Sequence, residues 1–240
     1  MYDDQMTRLT VATYNTYRER KGRDEALDEL LREDRTLVCL QEVSISRVWE
    51  IKKRFGHRAY LSPVMFGWEF LVIVLPEDAR FIQHHATQLN SYLGLIPKEW
   101  SIRRVRALYP GRRHGWPDGL SPRAAQVARI LWAGHEARVI NTHLPYEPWL
   151  RDRCLSLLPE LVSEGEVLLA GDLNATAEDL FLSDLLLTTG LKPAGSGEPT
   201  HNSRRRIDYV LYRGGFRETG YGMKKGRSDH RLVRAELEVS

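Results

Sequence analysis

Six short polar clusters punctuate the sequence: Thr13-Tyr14-Asn15, Leu40-Gln41-Glu42, Asn141-Thr142-His143-Leu144, Gly171-Asp172-Leu173-Asn174, Arg206-Ile207-Asp208-Tyr209 and Ser228-Asp229-His230. They supply carboxylates, amides and imidazoles. Hard divalent ions prefer oxygen ligands, and Mg²⁺ commonly uses few protein carboxylates together with water and phosphate oxygens. Glu42 therefore suits the role of direct ligand better than any histidine, with Mn²⁺ a plausible substitute for Mg²⁺. His143 and His230 suit contacts to a phosphate or a leaving group. Zinc is disfavoured, because the clusters contain no Cys ligand, no close His pair and no HExxH spacing. No nucleophilic Ser or Cys is required; Thr142 and Ser228 read more simply as strand or turn residues.

Scattered groups converge only where the fold gathers strand ends, so the elements matter next. Apolar runs at Leu9–Asn15, Thr36–Gln41, Phe70–Leu75, Ala137–Asn141, Glu166–Ala170, Ile207–Tyr212 and Leu232–Val239 read as strands. Helical spacing appears at Asp24–Leu31, at Pro148–Leu161 with Pro159 a candidate break, and at Ala177–Leu187. Glu42 and Asp172 each directly follow an apolar run, and a carboxylate there must reach solvent, pair or bind a cation. Taken singly, Glu42 is a solvated carboxylate and Asp172 part of an Asx-stabilised turn. The repetition of the arrangement is what favours a site. Residues 90–122, rich in Pro, Gly, Trp and Arg, lack periodicity and read as a long surface excursion within one domain spanning 1–240.

The six clusters, in this order, resemble the endonuclease/exonuclease/phosphatase family, which includes deoxyribonuclease I, exonuclease III, inositol polyphosphate 5-phosphatases, neutral sphingomyelinases and mRNA deadenylases. The resemblance runs from Leu9 to Leu237. It implies an α/β fold, a four-layer α/β/β/α sandwich of two packed, mostly antiparallel sheets. It casts Glu42 as principal metal ligand, Asn15 in the metal, water or phosphate network, and Asp229 as support for metal or water. Asp172 would orient or deprotonate the attacking water, with Asn174 on the phosphate. His230 would face the scissile phosphate with Asp208 holding its ring, and His143 would be the second histidine. Glu69 resembles the acid that supports this second histidine in deoxyribonuclease I, while its own context leaves a strand-edge carboxylate open. Arg123 resembles an arginine ahead of the NTHL strand, and Arg151 reads as a phosphate contact or a local ion pair. Tyr17 departs from exonuclease III-like members, which carry Asp two residues after the family Asn.

The expected chemistry is metal-assisted phosphodiester hydrolysis of nucleic acid. A carboxylate beside each histidine would favour its protonated form. The alternatives are a phosphoesterase for a small or lipid-linked phosphate and, with a low prior, an inactive phosphate-binding module. The 35 basic and 32 acidic side chains leave +3, which permits a polyanionic partner without requiring one. The clusters Arg103, Arg104, Arg106, Arg112 and Arg113 with Trp100, Tyr109 and Trp116, and the run Arg204-Arg205-Arg206, suit either successive phosphates and exposed bases or an ordinary charged loop whose aromatics pack back against the body. No stable protein partner is implied. Two lone cysteines, Cys39 and Cys154, make no disulfide framework, and a polar, acidic N-terminal stretch offers no signal peptide, so a cytoplasmic setting is the default expectation.

Overall fold

A computed structural model describes residues 8–19, 21–64, 69–90 and 123–239. The excursion expected at 90–122 and its arginine-aromatic cluster lie almost wholly outside the described residues.

The first half of the chain forms β1 (Arg8–Asn15), α1 (Glu25–Leu30), β2 (Thr36–Ser44), α2 (Ile45–Phe55), β3 (Ala59–Val64), β4 (Glu69–Val74) and β5 (Arg80–Asn90). There follow β6 (Arg123–Trp132), β7 (His135–His143), α3 (Pro148–Leu155), α4 (Leu158–Leu161), β8 (Glu166–Asp172) and α5 (Leu180–Thr189). The chain closes with β9 (Lys192–Pro193), β10 (Asp208–Arg213), β11 (Phe216–Lys225) and β12 (Arg231–Val239).

The strands make two six-stranded sheets, ordered β11-β12-β1-β2-β4-β3 and β5-β6-β7-β8-β10-β9. Pairing is antiparallel except at the centre of each sheet, where β1 lies parallel to β2 and β7 parallel to β8. Alternation along the strands builds the layers. Val11, Leu37, Cys39 and Ile73 from the first sheet meet Ile130, Val139, Leu168 and Val210 from the second in the central core. The opposite faces, Ala12, Tyr14, Val38 and Leu40, pack beneath α1 and α2. Ile140, Val167 and Leu169 pack beneath α3, α4 and α5. This is the expected four-layer α/β/β/α sandwich. Both cysteines are free and buried.

A buried polar bolt crosses between the sheets. Asn141 Nδ2 shares its two hydrogens among Leu40 O at 3.0 Å, Val72 O at 3.0 Å and Gln126 Oε1 at 3.2 Å. Its carbonyl accepts from Gln41 Nε2 at 2.8 Å.

Helix boundaries differ from expectation for local reasons. The run 148–161 splits into α3 and α4, because Pro159 has no N–H to continue the ladder. The third helix starts at Leu180, later than expected, because Asp179 closes a turn by accepting from Thr176 N at 2.6 Å. Helix α2 was not read from the sequence, although Ser44 caps it and Val48, Ile51 and Phe55 form its buried stripe. Among the described residues no helix is long and apolar enough to cross a membrane.

Candidate active site

The two central parallel pairs deliver their C-terminal ends to one edge of the sandwich. Asn15 ends β1, Glu42 lies near the end of β2, His143 ends β7 and Asp172 ends β8. Strand β10 runs antiparallel to β8, so its first residue, Asp208, falls opposite Asp172. The register of β2 against β4 shifts between Leu40 and Val43, and Glu42 in this bulge has φ 50°. A bulge re-aims a side chain, and here Glu42 is directed to the shared edge.

Asp172 Oδ2 is the hub. It accepts from Asn15 Nδ2 at 3.0 Å and lies 3.5 Å from His143 Nε2 and 3.7 Å from His230 Nε2. Its other oxygen accepts from Asn174 N at 3.0 Å, which locks the carboxylate plane. Asn15 Nδ2 also reaches Glu42 Oε1 at 3.3 Å, so one amide spans both sheets. Tyr17 N donates to Asn15 Oδ1 at 3.0 Å, and since a backbone N–H can only donate, this fixes the amide orientation. Asn15 thus presents N–H, not oxygen, to the carboxylates.

The two histidines differ. His230 Nδ1 lies 3.0 Å from both Asp208 oxygens. Burial opposes its charge, but the Asp208 and Asp172 carboxylates win and push its pKa up to about 10. Burial in turn holds the Asp172 carboxyl above the ordinary carboxylate range, against the pull of His230. His143 has a guanidinium behind it: Arg123 Nη1 lies 2.8 Å from Nδ1. An arginine N–H only donates, so Nδ1 accepts and the ring proton sits on Nε2, facing Asp172. Burial, then the charges of Arg123, His230 and Arg18, hold His143 well below the usual histidine value. The expectation that a carboxylate beside each ring favours the protonated form holds for His230 but not for His143, which Arg123 faces at Nδ1. His230 is held as an imidazolium and His143 as a neutral Nε2–H donor.

The remaining residues divide. Glu42, Glu69, Arg123 and His143 line one recess. Glu69 Oε1 lies 2.9 Å from Arg18 Nη1, and Arg18 Nε lies 3.6 Å from Glu42 Oε2. Asn174 Nδ2 donates to Leu144 O at 2.9 Å, tying the two loops together. Arg151 is buried, giving Nη1 to Asn174 O at 2.9 Å and Nη2 to Asp179 at 2.6 Å. The local ion pair is the alternative that forms. Arg206, from the arginine run, turns back over the Tyr209 ring and donates to Ala194 O. Asp229 is 3.5 Å from His201 Nε2, and that contact with the His230 charge lowers its pKa to about 2 despite partial burial, which acts in the opposite sense.

Sequence reasoning missed three contributors. Arg18 enters the site because Tyr17, Arg18 and Glu19 all have φ near 50°, costing on the order of 1–3 kcal/mol each. Non-glycine residues give no sequence sign of such a turn. Asp24 caps α1 by accepting from Ala26 N at 2.9 Å, and its other oxygen takes Tyr14 Oη at 2.6 Å and Arg227 N at 2.8 Å. It thereby places the loop before His230. His201 was hidden in a turn-like composition, Pro199-Thr200-His201-Asn202.

Five carboxylates, Glu42, Glu69, Asp172, Asp208 and Asp229, thus gather with three cations, Arg18, Arg123 and His230. Buried excess negative charge is costly, and the hard oxygens of Glu42 suit a divalent cation that removes it. A sandwich whose central strand ends join carboxylates to an Asp-held histidine defines the class of phosphoester hydrolases with a metal-binding acidic site. The sequence profile described as "Endonuclease/Exonuclease/phosphatase family" matches residues 12–230, and the chain belongs to that family. No curated protein sequence matches the chain.

Solved structures share the fold. An endonuclease/exonuclease/phosphatase from Bacteroides vulgatus superposes with TM-score 0.73 at 15% identity, covering 98% of this chain and all of its own. A mannosyl-6-phosphatase from Bacteroides thetaiotaomicron gives TM-score 0.67 at 15% identity over 95% of this chain and 99% of its own. The D. rerio TDP2 complexed with a single-strand DNA product gives TM-score 0.69 at 14% identity over 97% of this chain and 99% of its own.

Proposed function

We propose that the protein is a Mg²⁺-dependent phosphodiesterase that hydrolyses nucleic acid, with residues 1–240 acting as one catalytic unit. The observation that carries this reading is the convergence on Asp172 Oδ2 of Asn15, His143 and His230 from three separate strand ends or loops. Glu42 is the residue that would hold the metal; Asp229, held by His201 instead, is left out of the magnesium set. Bound there, the cation supplies a Lewis acid for a phosphate oxygen and offsets charge developing on phosphorus.

The chain's own residues do the rest. Asp172, with its carboxyl raised toward neutrality, orients the attacking water and takes its proton at Oδ2. Asn15 and the Asn174 N–H hold that carboxylate in place. The His230 imidazolium donates from Nε2 to a phosphoryl oxygen while Asp208 fixes its ring through Nδ1. His143 donates its Nε2–H from the other side of Asp172, and Arg123 fixes its tautomer. Arg151 clamps the loop that carries Asn174.

Two exposed aromatics support a nucleic-acid substrate. Tyr146, in the loop leading into α3, and Trp149, in the first turn of α3, follow His143 closely and are exposed, where a base can stack on them. The DNA product in the D. rerio relative agrees with this choice, whereas the mannosyl-6-phosphatase relative keeps a small phosphoester in the test.

The test is Mg²⁺-dependent hydrolysis of labelled single- and double-stranded DNA and RNA, phosphodiester lipids and sugar phosphates, beside Asp172→Asn. Cleavage of a nucleic acid by the wild type, reduced at least a hundredfold in the variant, is expected. Turnover confined to a lipid or sugar phosphate would overturn the substrate, and equal turnover by Asp172→Asn would overturn the site.

A further inference from the structure

His201, Asp229 and His230 form a second constellation beside the magnesium position, with a different ligand character. One ligand atom from each lies within 4.8 Å of the others. The rings of His201 and His230 meet edge to face, with centroids 4.7 Å apart and an interplanar angle of 61°. His201 Nε2 stands 3.5 Å from Asp229 Oδ2. Ligands about 2.0–2.2 Å from a tetrahedral zinc are on the order of 3.3–3.5 Å apart, so this pair already has the spacing of two coordination positions. The ligand atom of His230 lies within 4.8 Å of both, and since Asp208 occupies Nδ1, Nε2 is the nitrogen left to close the set by side-chain adjustment.

The backbone is built to keep the three together. His201 and His230 form an antiparallel bridge between the loop before β10 and the loop before β12. Asn202 N donates to Asp229 O at 2.9 Å, and Arg231 N to Thr200 O at 2.7 Å. Lys225 Nζ adds a bond to Asn202 Oδ1 at 2.7 Å.

Histidines that ligate a metal through one nitrogen characteristically donate the other N–H to a fixed acceptor. His230 has that partner already, and His201 gains it only with a change of tautomer. His230 Nδ1 faces the Asp208 carboxylate, and His201 Nδ1 lies 2.7 Å from Ser203 Oγ. The Ser203 N–H, 3.1 Å from the same Nδ1, stabilises the opposite tautomer in the cation-free protein, so binding carries a proton shift across the His201 ring.

Two imidazoles and one carboxylate are the donors of a borderline-soft ion, not of magnesium. We propose that His201, Asp229 and His230 form an inhibitory site for Zn²⁺ or a similar transition-metal ion. The ion takes the Nε2 lone pair of His230, the proton of that nitrogen goes to solvent, and the ring can no longer donate to phosphate. Inhibition rests on the hydrolase reading above, whereas binding of the ion does not.

Cobalt(II) serves as a spectroscopic stand-in for zinc in chelator-stripped protein. One equivalent is expected to produce visible d–d absorption, displaced by Zn²⁺. His201→Ala and, separately, Asp229→Asn are each expected to weaken binding at least tenfold. Glu42→Gln is expected to leave it within about twofold. In the hydrolysis assay, with each protein's zinc-free rate as its own reference, His201→Ala is expected to need at least tenfold more zinc for half-inhibition than the wild type. Absence of the cobalt spectrum, or binding that both folded variants retain in full, overturns the site. Binding lost in both variants without any hydrolytic activity in the wild type leaves the metal site standing and removes the hydrolase reading.

Discussion

Asn141→Leu tests whether the inter-sheet bolt holds the sandwich together. The substitution keeps the shape of a fully buried side chain but removes two N–H donors shared among three acceptors and one accepted bond. Gln41 Nε2 keeps Thr13 Oγ1 at 3.0 Å and Cys39 O at 3.2 Å, so its loss is partial. The Leu40 and Val72 carbonyls and Gln126 Oε1 lose a donor in a place closed to water. At about 1–3 kcal/mol for each of the three stripped buried groups, offset by about 1–2 kcal/mol from the added apolar burial, the net cost spans about 1–8 kcal/mol and centres on about 3–5 kcal/mol. For a chain of this length that is a fall of roughly 6–20 °C in Tm. Urea unfolding followed by tryptophan fluorescence reads the change in midpoint at constant slope. A loss below about 1 kcal/mol would refute the bolt, showing that apolar contact alone registers the sheets.

The remaining predictions concern the site. Gly171→Ala would place a Cβ 2.0 Å from the Thr142 carbonyl oxygen, in the register that sets His143 opposite Asp172. We expect a loss of about 3 kcal/mol or more in chemical denaturation together with loss of hydrolysis, and a normally stable, active variant would contradict the close approach. In metal-free protein, NMR titration of His230 should show the ring protonated until pH rises toward about 10. Because the folded value lies above the unfolded one near 6.5, the stability it contributes is complete below that pH and lost as pH rises through about 10. Asp208→Asn removes the largest raising influence and should bring the midpoint down by more than one unit; an unmoved midpoint would remove Asp208 as its holder.

Much of this was legible in the sequence. The runs at Leu9–Asn15 and Glu166–Ala170 are dense in apolar side chains and proved to be strands buried on both faces. Leu232–Val239, which alternates apolar with charged residues, proved to be a strand with one face more exposed. Glu42 and Asp172 were legible because each follows an apolar run. What stayed hidden depends on backbone geometry or on pairing at a distance. Strand β11 has a mostly half-exposed, glycine-containing sequence, and only its pairing with β12 makes it a strand. The neutral state of His143 follows from burial and then from Arg123, which also fixes its tautomer, sits twenty residues away and meets it through the β6–β7 pairing. Arg18 depends on a left-handed turn among residues with no glycine.

The strand order also has a temporal consequence. The second sheet is drawn entirely from the middle of the chain, Arg80 to Arg213, whereas the first combines both ends, with β12 inserted between β11 and β1. During synthesis β1 leaves the ribosome early, yet one of its edges has no partner until Arg231–Val239 follows. At about 5–20 residues per second that wait lasts roughly 10–45 s, with an open strand edge available to other chains. His230 emerges immediately before the closing strand, so the catalytic edge is completed in the same event that seals the sheet.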